Sequence, residues 1–429
     1  MKILIISHNP LTMQNNMAAT LRTLFSEISR EEICQLYIYP TLPNADRCCS
    51  QYRITDKEIL RKLFTGKKAG EEIDPRRISP EEGRYEDPAD EAVYRDRRNK
   101  SPLRRLLRDD MWILARWYDR GLKAWLERER PDRIFVAPGA AKFIYDFALR
   151  ISADLDIPVV TYICDEYYFV DEPTAVLEKI RLHKLQRKIE ALMACTEHLL
   201  VISEELKKAY EDRFGVKTSV VMTGAAVECA AASKAVDKPR TISYFGNIRC
   251  NRYHSLAEIG RELDVMNRET GSDYKLKIYT FEKDREILSH LETCDSIELC
   301  GPVTGAEFDR IFAAAELLLH VEAFDKASID FVRHSVSTKI ADSLASGTPL
   351  LAYGPAGISS MEYLLRHECA LAATDREHLR PMLEKAFEDR EAAAVAAENG
   401  LKAAALFHDR KAIGGIVREI LLSVGESNT

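Results

Sequence analysis

Short apolar runs alternate with longer amphipathic stretches along most of this chain. The first run, at 2–7, is followed by a polar loop and a helical pattern from about 17 to 28, and a second run covers 33–39. Further apolar runs stand at 133–137, 158–163, 198–202 and 219–222, with helical stretches between them. This alternation predicts a parallel sheet with helices on both faces, and therefore an α/β, Rossmann-like fold.

The alternation is interrupted at 224–240 and then starts again, which indicates a second domain. Apolar runs return at 241–245, 275–279, 296–299, 317–319 and 350–353. We predict an N-terminal domain over 1–225, a linker over 226–240, a C-terminal domain over 241–408, and a final helix and tail over 409–429. The charge-dense stretch from about 40 to 101 is predicted to be an insertion in the first domain.

Composition and charge argue against several classes of function. The 429 residues carry a net charge of −7 with a pI near 5.9, which argues against nucleic-acid binding. No apolar run approaches the ~20 residues of a membrane span, and MKILIIS is predicted to be a strand rather than a signal peptide. The ten cysteines include no CxxC pair, which favours reduced thiols in a cytoplasmic protein without a zinc site.

The stretch from 337 to 349 in the second domain carries the most specific chemistry. A helix is predicted to begin at Ser337-Thr338-Lys339, and its N-terminus favours an anion because its N–H groups are unpaired and partially positive. Lys339 in that first turn is unfavourable unless an anion is present, which predicts a phosphate. Asp342 lies one turn on and can accept from a sugar hydroxyl. The alternative is that these residues bind no ligand: Ser337 only caps the helix, Lys339 is solvated, and Asp342 is an ordinary acidic residue of the first turn.

The loop that opens the second domain offers a matching group. The strand at 241–245 ends at Gly246 and Asn247, and Arg252 stands at the edge of the next helix. An arginine there suits a diphosphate, and Arg252 is preferred to Arg249. A solvated loop arginine is the alternative.

The run STKIADSLASGTP (337–349) resembles the nucleotide-sugar-binding segment of bacterial glycosyltransferases related to glycosyltransferase family 4. HVEAFD before it and AYGPAGISSMEYL after it resemble the branch that builds surface polysaccharides. The segments CSQYRITD (49–56) and VISEEL (201–206) resemble parts of the first domain of the same enzymes.

This resemblance implies a GT-B fold: two Rossmann-like domains with parallel sheets facing across a cleft, and a C-terminal helix that crosses back to the first domain. It implies that the second domain binds a nucleotide-sugar donor, that the turn at Val303 meets the base, and that transfer retains anomeric configuration. The donor is a co-substrate, and neither a cofactor nor a metal is expected. Relatives carry a glutamate eight residues before the acid that binds the ribose, which corresponds to Asp342 here. In this chain His334 occupies that position. The nearest upstream glutamate is Glu322, 20 residues before Asp342. Both are candidate catalytic residues.

The first domain offers candidates for the acceptor side. Asp165 and Glu166 follow the strand at 158–163, and open parallel sheets place their site residues at carboxyl ends of strands. Asp165 is a candidate catalytic residue and Glu166 a candidate acceptor-binding residue, with capping of the next segment as the alternative. His8 and Asn16, in the first strand–helix loop, are further acceptor-binding candidates, although each can also serve as a helix cap.

A basic amphipathic stretch at 103–118, with Trp112 and Trp117, leaves two interpretations open. It can lie on an anionic membrane surface, or it can cover the sheet as an internal helix with a solvated basic end.

The sequence therefore favours a cytoplasmic glycosyltransferase, with a peripheral contact at the inner face of the membrane left open. Its partners would be a nucleotide-sugar donor and a glycan or lipid-linked acceptor. Two alternatives remain: a non-catalytic nucleotide-sugar-binding subunit of a polysaccharide assembly complex, and a nucleotide-sugar epimerase on the same scaffold.

Overall fold

The computed structural model describes residues 1–11, 16–43, 47–74, 77, 102–170, 173 and 175–425, and for residues 16–19, 102 and 104 the backbone alone. The chain divides into two compact units. Unit 1 is Met1–Met222 together with the segment from Arg410 onward, and unit 2 is Thr223–Asp409.

Unit 1 is built on an eight-stranded sheet. Its strands are β1 (Ile3–Ser7), β2 (Ile33–Tyr37), β3 (Ser50–Arg53), β4 (Glu71–Glu72), β5 (Arg133–Ala137), β6 (Val159–Ile163), β7 (Thr196–Val201) and β8 (Thr218–Val220). They lie in the order β4-β3-β2-β1-β5-β6-β7-β8, and all neighbours are parallel except β3 and β4 at the edge. All five residues of β1 are buried, as expected for a central strand covered on both faces.

The helices of unit 1 that precede unit 2 alternate with these strands. They are α1 (Asn16–Leu24), α2 (Asp56–Thr65), α3 (Pro102–Leu114), α4 (Arg120–Glu129), α5 (Lys142–Leu155), α6 (Val176–Cys195) and α7 (Glu204–Phe214), and a 3₁₀ turn at Arg30–Glu32 leads into β2. The predicted strand–helix alternation is confirmed.

The segment predicted as a charged insertion contains β3, α2 and β4, so its first half is part of the sheet. Helix α2 starts at a capping box, in which Thr55 Oγ1 accepts from Glu58 N–H and Glu58 Oε2 accepts from Thr55 N–H at 2.8 Å. Residues 78–101, the most charged part of the segment, lie outside the described residues.

Helix α3 turns its first tryptophan into the core. Trp112 is fully buried, stacks on Phe143 with ring centroids 4.2 Å apart, and donates its Nε1–H to Asp56 at 2.7 Å. Trp117, just beyond the helix, is also buried. The two tryptophans therefore fit the internal-helix interpretation rather than a membrane anchor.

Unit 2 is built on a six-stranded parallel sheet. Its strands are β9 (Thr241–Phe245), β10 (Lys275–Tyr279), β11 (Ile297–Leu299), β12 (Leu317–Val321), β13 (Leu350–Tyr353) and β14 (Leu371–Ala373), in the order β11-β10-β9-β12-β13-β14. Its helices are α8 (Arg252–Thr270), α9 (Arg285–Ser289), α10 (Gly305–Ala313), α11 (Lys326–Val332), α12 (Thr338–Ala345), α13 (Ser359–Arg366), α14 (Leu379–Glu388) and α15 (Arg390–Phe407).

The last helix, α16 (Arg410–Ser423), returns to unit 1 as predicted and packs on the end of α1. Gly414 permits the close approach, because an added Cβ would lie 2.2 Å from Ser26 Oγ. Arg418 donates to the Glu27 carbonyl at 3.2 Å. The described part of the chain includes no helix long and apolar enough to cross a membrane.

Residues 226–240, predicted as a linker, belong to unit 2 and are tied to α12. Ala230 N–H donates to the Ala345 carbonyl at 2.8 Å, and Lys234 N–H donates to the Gly347 carbonyl at 2.7 Å.

Candidate functional site

A cavity of about 220 Å³ in unit 2 collects four of the predicted nucleotide-binding residues. It lies beside the carboxyl ends of β9 and β10 and the first turns of α12, which is where open parallel sheets bind ligands. The predicted residues in its lining are Gly246, Val303, Lys339 and Asp342.

The rest of the lining is aromatic and apolar. Phe245 and Tyr279 stack with ring centroids 4.7 Å apart and an interplanar angle of 7°. Phe308 and Phe312 each form a T-shaped pair with Phe245, with ring centroids 5.4 Å apart. Phe281, also in the lining, is 66% exposed. These rings form an apolar wall that suits a flat heteroaromatic group.

Lys339 lies in the first turn of α12, as predicted, against the backbone of Gly246. An added Cβ at Gly246 would lie 2.6 Å from Lys339 Cε, and the φ of +152° is one that other residues rarely adopt. Partial burial of its ammonium, and then the charge of Arg252, lower the pKa of Lys339, although the side chain keeps access to solvent. No described residue forms an ion pair with this ammonium within 4 Å, so it is available to an anion.

Arg252 begins α8 and is paired with Glu322. Its Nε and Nη2 donate to the two carboxylate oxygens at 2.8 and 3.0 Å, and the Glu322 side chain is only 4% exposed. Such a two-point pair fixes the guanidinium plane. Glu322, a predicted catalytic residue, therefore has its carboxylate engaged in holding Arg252.

His320 is buried in β12 next to this pair, with Nε2 3.8 Å from Glu322 Oε1 and no hydrogen bond at that nitrogen. Burial lowers the pKa of His320 to about 4; the Glu322 carboxylate opposes this shift, and the charges of Arg252 and Lys339 add to it. The imidazole is therefore neutral at pH 7.

Asp342 holds the segment that precedes the second sheet. Its Oδ1 accepts the backbone N–H groups of Ala226 and of Val227, the latter at 3.2 Å. The carboxylate thus has a structural task, and its contact with a ribose stays a prediction.

The other predicted residues of unit 2 lie close by in the chain. Ser337 precedes α12 without a side-chain cap and donates its N–H to Ser360 Oγ at 3.1 Å, and Thr338 is the first helical residue. Asn247 accepts from Arg249 N–H through Oδ1 at 2.8 Å. His334 lies in the turn after α11, outside the described lining of the cavity.

Unit 1 has its own cavity, of about 290 Å³, beside the carboxyl ends of β1, β5 and β6. Two predicted residues, His8 and Asp165, line it, and His8 Nδ1 lies 3.4 Å from Asn9 Oδ1. Asn16 is the first residue of α1, and its side chain is outside the described part of the structure.

The carboxyl groups of Asp165 and Glu166 are both partly shielded from water by the surrounding protein. Asp165 is at the open rim, where desolvation by the surrounding protein raises the pKa of its carboxyl. Burial likewise raises the pKa of Glu166, whose Oε1 accepts from the N–H groups of Tyr168 and Phe169. Carboxyls with raised pKa values are suited to hold or move a proton.

The aromatic residues of both cavities were not predicted from the sequence. Phe308 and Phe312 stand at i,i+4 on α10, and Phe281 follows the end of β10, but such residues ordinarily indicate a core. In unit 1, Tyr145, Tyr162, Tyr167 and Tyr210 line the cavity and come from separate elements. Of these, only Tyr167 stood beside the predicted carboxylates in the sequence.

Comparison with known proteins supports the fold. The sequence matches no protein-family model and no curated protein. Structures similar to this chain include Anabaena HepE (Alr3699) in complex with UDP, at a TM-score of 0.62 and 11% identity, with 99% of this chain and 100% of that chain covered. Sucrose-phosphate synthase from Thermosynechococcus elongatus gives the same TM-score, identity and coverage. An alpha,alpha-trehalose-phosphate synthase (UDP-forming) from Burkholderia vietnamiensis has a TM-score of 0.58 at 11% identity, covering 99% and 100%. These neighbours are GT-B glycosyltransferases, and the chain has the GT-B type of α/β fold with two parallel sheets.

Proposed function

We propose that this protein is a glycosyltransferase that moves a sugar from a nucleotide-sugar donor to a glycan or lipid-linked acceptor. The observation that carries the proposal is the unit 2 cavity, in which an aromatic wall ends at Lys339. A nucleoside diphosphate complements this arrangement, because its flat base can lie against the aromatic wall while its anionic diphosphate reaches Lys339.

In this proposal the base lies against the rings around Phe245 and the diphosphate meets Lys339 and the N-terminus of α12. Lys339 lacks a counter-ion among the described residues, so a diphosphate would supply one. Arg252 lies outside the described lining of the cavity, and the Glu322 carboxylate that orients it also offsets its charge. The charge that develops on a departing diphosphate would therefore be offset mainly by Lys339 and the N-terminus of α12, and we propose that transfer proceeds there without a metal ion.

The finer parts of the proposal rest on the sequence resemblance. They are retention of anomeric configuration, a role in surface polysaccharide synthesis, and a cytoplasmic location with peripheral membrane contact. Exposed apolar side chains on α2 and α3, among them Phe64 at 83% and Leu114 at 70%, favour contact with a lipid-linked acceptor or with the membrane that holds it.

A second candidate function is a nucleotide-sugar-binding subunit without catalysis. The engagement of the Glu322 carboxylate by Arg252 favours it, because that carboxylate was a predicted catalytic group.

The test begins with calorimetric titration of the full chain with UDP, GDP, dTDP and ADP. We expect one of them to bind, and Lys339→Ala to abolish most of that binding. The matching sugar nucleotides are then incubated with the protein, and release of the nucleoside diphosphate is measured with and without an acceptor extract. Release of the nucleoside diphosphate supports the glycosyltransferase. Nucleotide binding without release supports the non-catalytic subunit. Absence of nucleotide binding refutes both proposals.

A further inference from the structure

A second concave surface of unit 1 lies on its layer of helices. It is an open groove of about 600 Å³, lined by the end of α3 and the segment after it, the first turn of α4, the later turns of α5 and the second half of α6. Helix α5 starts after the carboxyl end of β5, so its later turns are displaced from that edge of the sheet. The groove and the cavity beside the strand ends have no described lining residue in common. The groove is therefore a separate candidate site.

The groove is cationic, although the net charge of the chain is −7. Its described lining brings together basic side chains from four parts of the chain, namely Arg116, Lys123, Arg150 and Lys188. Asp146 is the one carboxylate in the same described lining, and it pairs with Lys188. Arg116 is exposed and forms no ion pair with any residue that the structure describes.

The other two cations of the groove share a single carboxylate. Asp154 Oδ2 lies 3.5 Å from Lys123 Nζ, and Asp154 Oδ1 lies 3.2 Å from Arg150 Nη2. The four basic side chains therefore have two carboxylate partners in the described part of the chain. Two positive charges in the groove are not offset.

The aromatic floor of the groove fixes two of these cations in place. Lys123 Nζ lies 4.8 Å from the centroid of the Tyr118 ring, and the guanidinium carbon of Arg150 lies 5.5 Å from it. Trp117, which is 7% exposed, supports this ring with centroids 5.3 Å apart. Two like charges held at one ring repel each other, and the shared Asp154 offsets only part of that repulsion. An anion bound between them would relieve the rest.

A phosphate group matches the charge of the groove. A phosphate monoester carries about −1.5 to −2 charges at pH 7 and several acceptor oxygens, whereas a carboxylate carries a single negative charge. Arginine binds phosphate through a planar fork of N–H donors, and lysine binds it as a point charge. Ile113, 51% exposed, and Leu149 add apolar surface for the rest of a ligand. The volume of the groove lies in the range of ~300–1,000 Å³ that is typical of small-molecule sites.

We propose that this groove is a binding site for a phosphate-bearing ligand, separate from the unit 2 cavity. The phosphate lies between Arg116 and the two cations on Tyr118, and the uncharged part of the ligand lies against Ile113. The inference goes beyond glycosyl transfer and does not depend on it. Soluble phosphate esters and lipid headgroups carry the same chemical group, so the test has an arm for each source.

The test titrates the full chain with glycerol 3-phosphate by calorimetry. In parallel, it measures co-sedimentation of the chain with phosphatidylcholine vesicles that either contain or lack phosphatidic acid. We expect binding in at least one arm. Binding of glycerol 3-phosphate assigns the groove to soluble phosphate esters, whereas binding to the phosphatidic acid vesicles alone assigns it to a lipid headgroup.

Variants of the groove locate that binding. Arg116→Gln should weaken it at least about threefold, and Arg116→Gln combined with Arg150→Gln at least about tenfold, which is the scale of one hydrogen bond to a charged group. Melting temperatures should stay near that of the wild type, because the double variant breaks only one exposed ion pair. Arg120→Gln is the matched control, since Arg120 is also exposed but lies outside the described lining.

The inference is overturned if neither phosphate probe binds, or if Arg120→Gln weakens binding as much as Arg116→Gln does. It is also overturned if Lys339→Ala abolishes the binding of the phosphate probe, because the unit 2 cavity would then hold it. Loss of UDP binding alongside Arg116-dependent phosphate binding would refute the proposed function alone and leave the groove assignment standing.

Discussion

The cavities of the two units lie beside the same end of similar parallel sheets, yet their walls differ in chemistry. The unit 2 cavity joins apolar rings to Lys339 and Asp342, with Arg252 adjacent, whereas the unit 1 cavity joins tyrosine hydroxyls to Asp165 and has no lysine or arginine in its described lining. The scaffold thus fixes where a ligand can bind, and the residues at strand ends decide its charge.

Burial shifts the pKa of ionisable groups in both units. In unit 2 burial holds His320 neutral by lowering its pKa, and in unit 1 burial raises the pKa of Glu166. Desolvation disfavours the charged form in both cases, so the direction depends on the residue type. The folded state therefore loses stability at His320 as the pH falls and the imidazole takes up a proton. At Glu166 it loses stability as the pH rises and the carboxyl loses its proton.

The largest expected effect tests the cationic side of this contrast. Lys339→Ala should weaken UDP binding by about 1.5–3 kcal/mol, the range of a hydrogen bond to a charged group, with little loss of stability because no ion pair is broken. Titration calorimetry and thermal unfolding measure the two quantities.

Arg249→Ala is the matched control for that variant. Arg249 stands in the loop before α8, but its half-exposed guanidinium is already paired with the Glu282 carboxylate, so its removal should leave UDP affinity near that of the wild type. Equal loss of affinity in both variants would show that only the general positive charge of unit 2 matters.

The next effect concerns pH. His320 has an ordinary pKa of 6.5 when unfolded and about 4 when folded, so the unfolded state binds more protons between these values and stability falls as the pH drops. Between pH 7 and 5 this amounts to about 2 kcal/mol. His320→Gln should remove that part of the pH dependence in denaturant unfolding. An unchanged slope would mean that His320 does not stay neutral in the folded state.

The aromatic wall of unit 2 can be tested separately from its cations. Phe281→Ala should lower the affinity for UDP by about 1.5 kcal/mol, within the range of base–aromatic stacking, and leave binding of pyrophosphate unchanged. Parallel calorimetric titrations with the two ligands check this. A similar loss for pyrophosphate would place Phe281 near the phosphates instead.

The smallest expected effect comes from Asp342. Asp342→Ala removes the acceptor for the N–H groups of Ala226 and Val227 and should lower the free energy of unfolding by about 1 kcal/mol, since water can replace part of the lost contact. If Asp342 also accepts from the ribose, UDP affinity falls while pyrophosphate affinity does not. A variant that keeps both stability and affinity would contradict each role.

The sequence by itself determined the fold class and part of the site. Apolar runs and helical patterns are local, so the strand–helix alternation and the helix start at Ser337 followed from the order of residues. Gly246 at the end of a strand and Lys339 in the first turn of a helix were both predicted to bind the nucleotide, and the structure brings them into contact.

Only the tertiary structure decided which side chains share a wall and which are already engaged. Glu322 and Arg252 are 70 residues apart in the chain, so their ion pair is invisible in the sequence. The same holds for Asp342 and the backbone at Ala226, and for tyrosines from separate elements around one cavity. Contacts of this kind depend on how elements pack across a sheet, whereas sequence patterns report only on the element in which they occur.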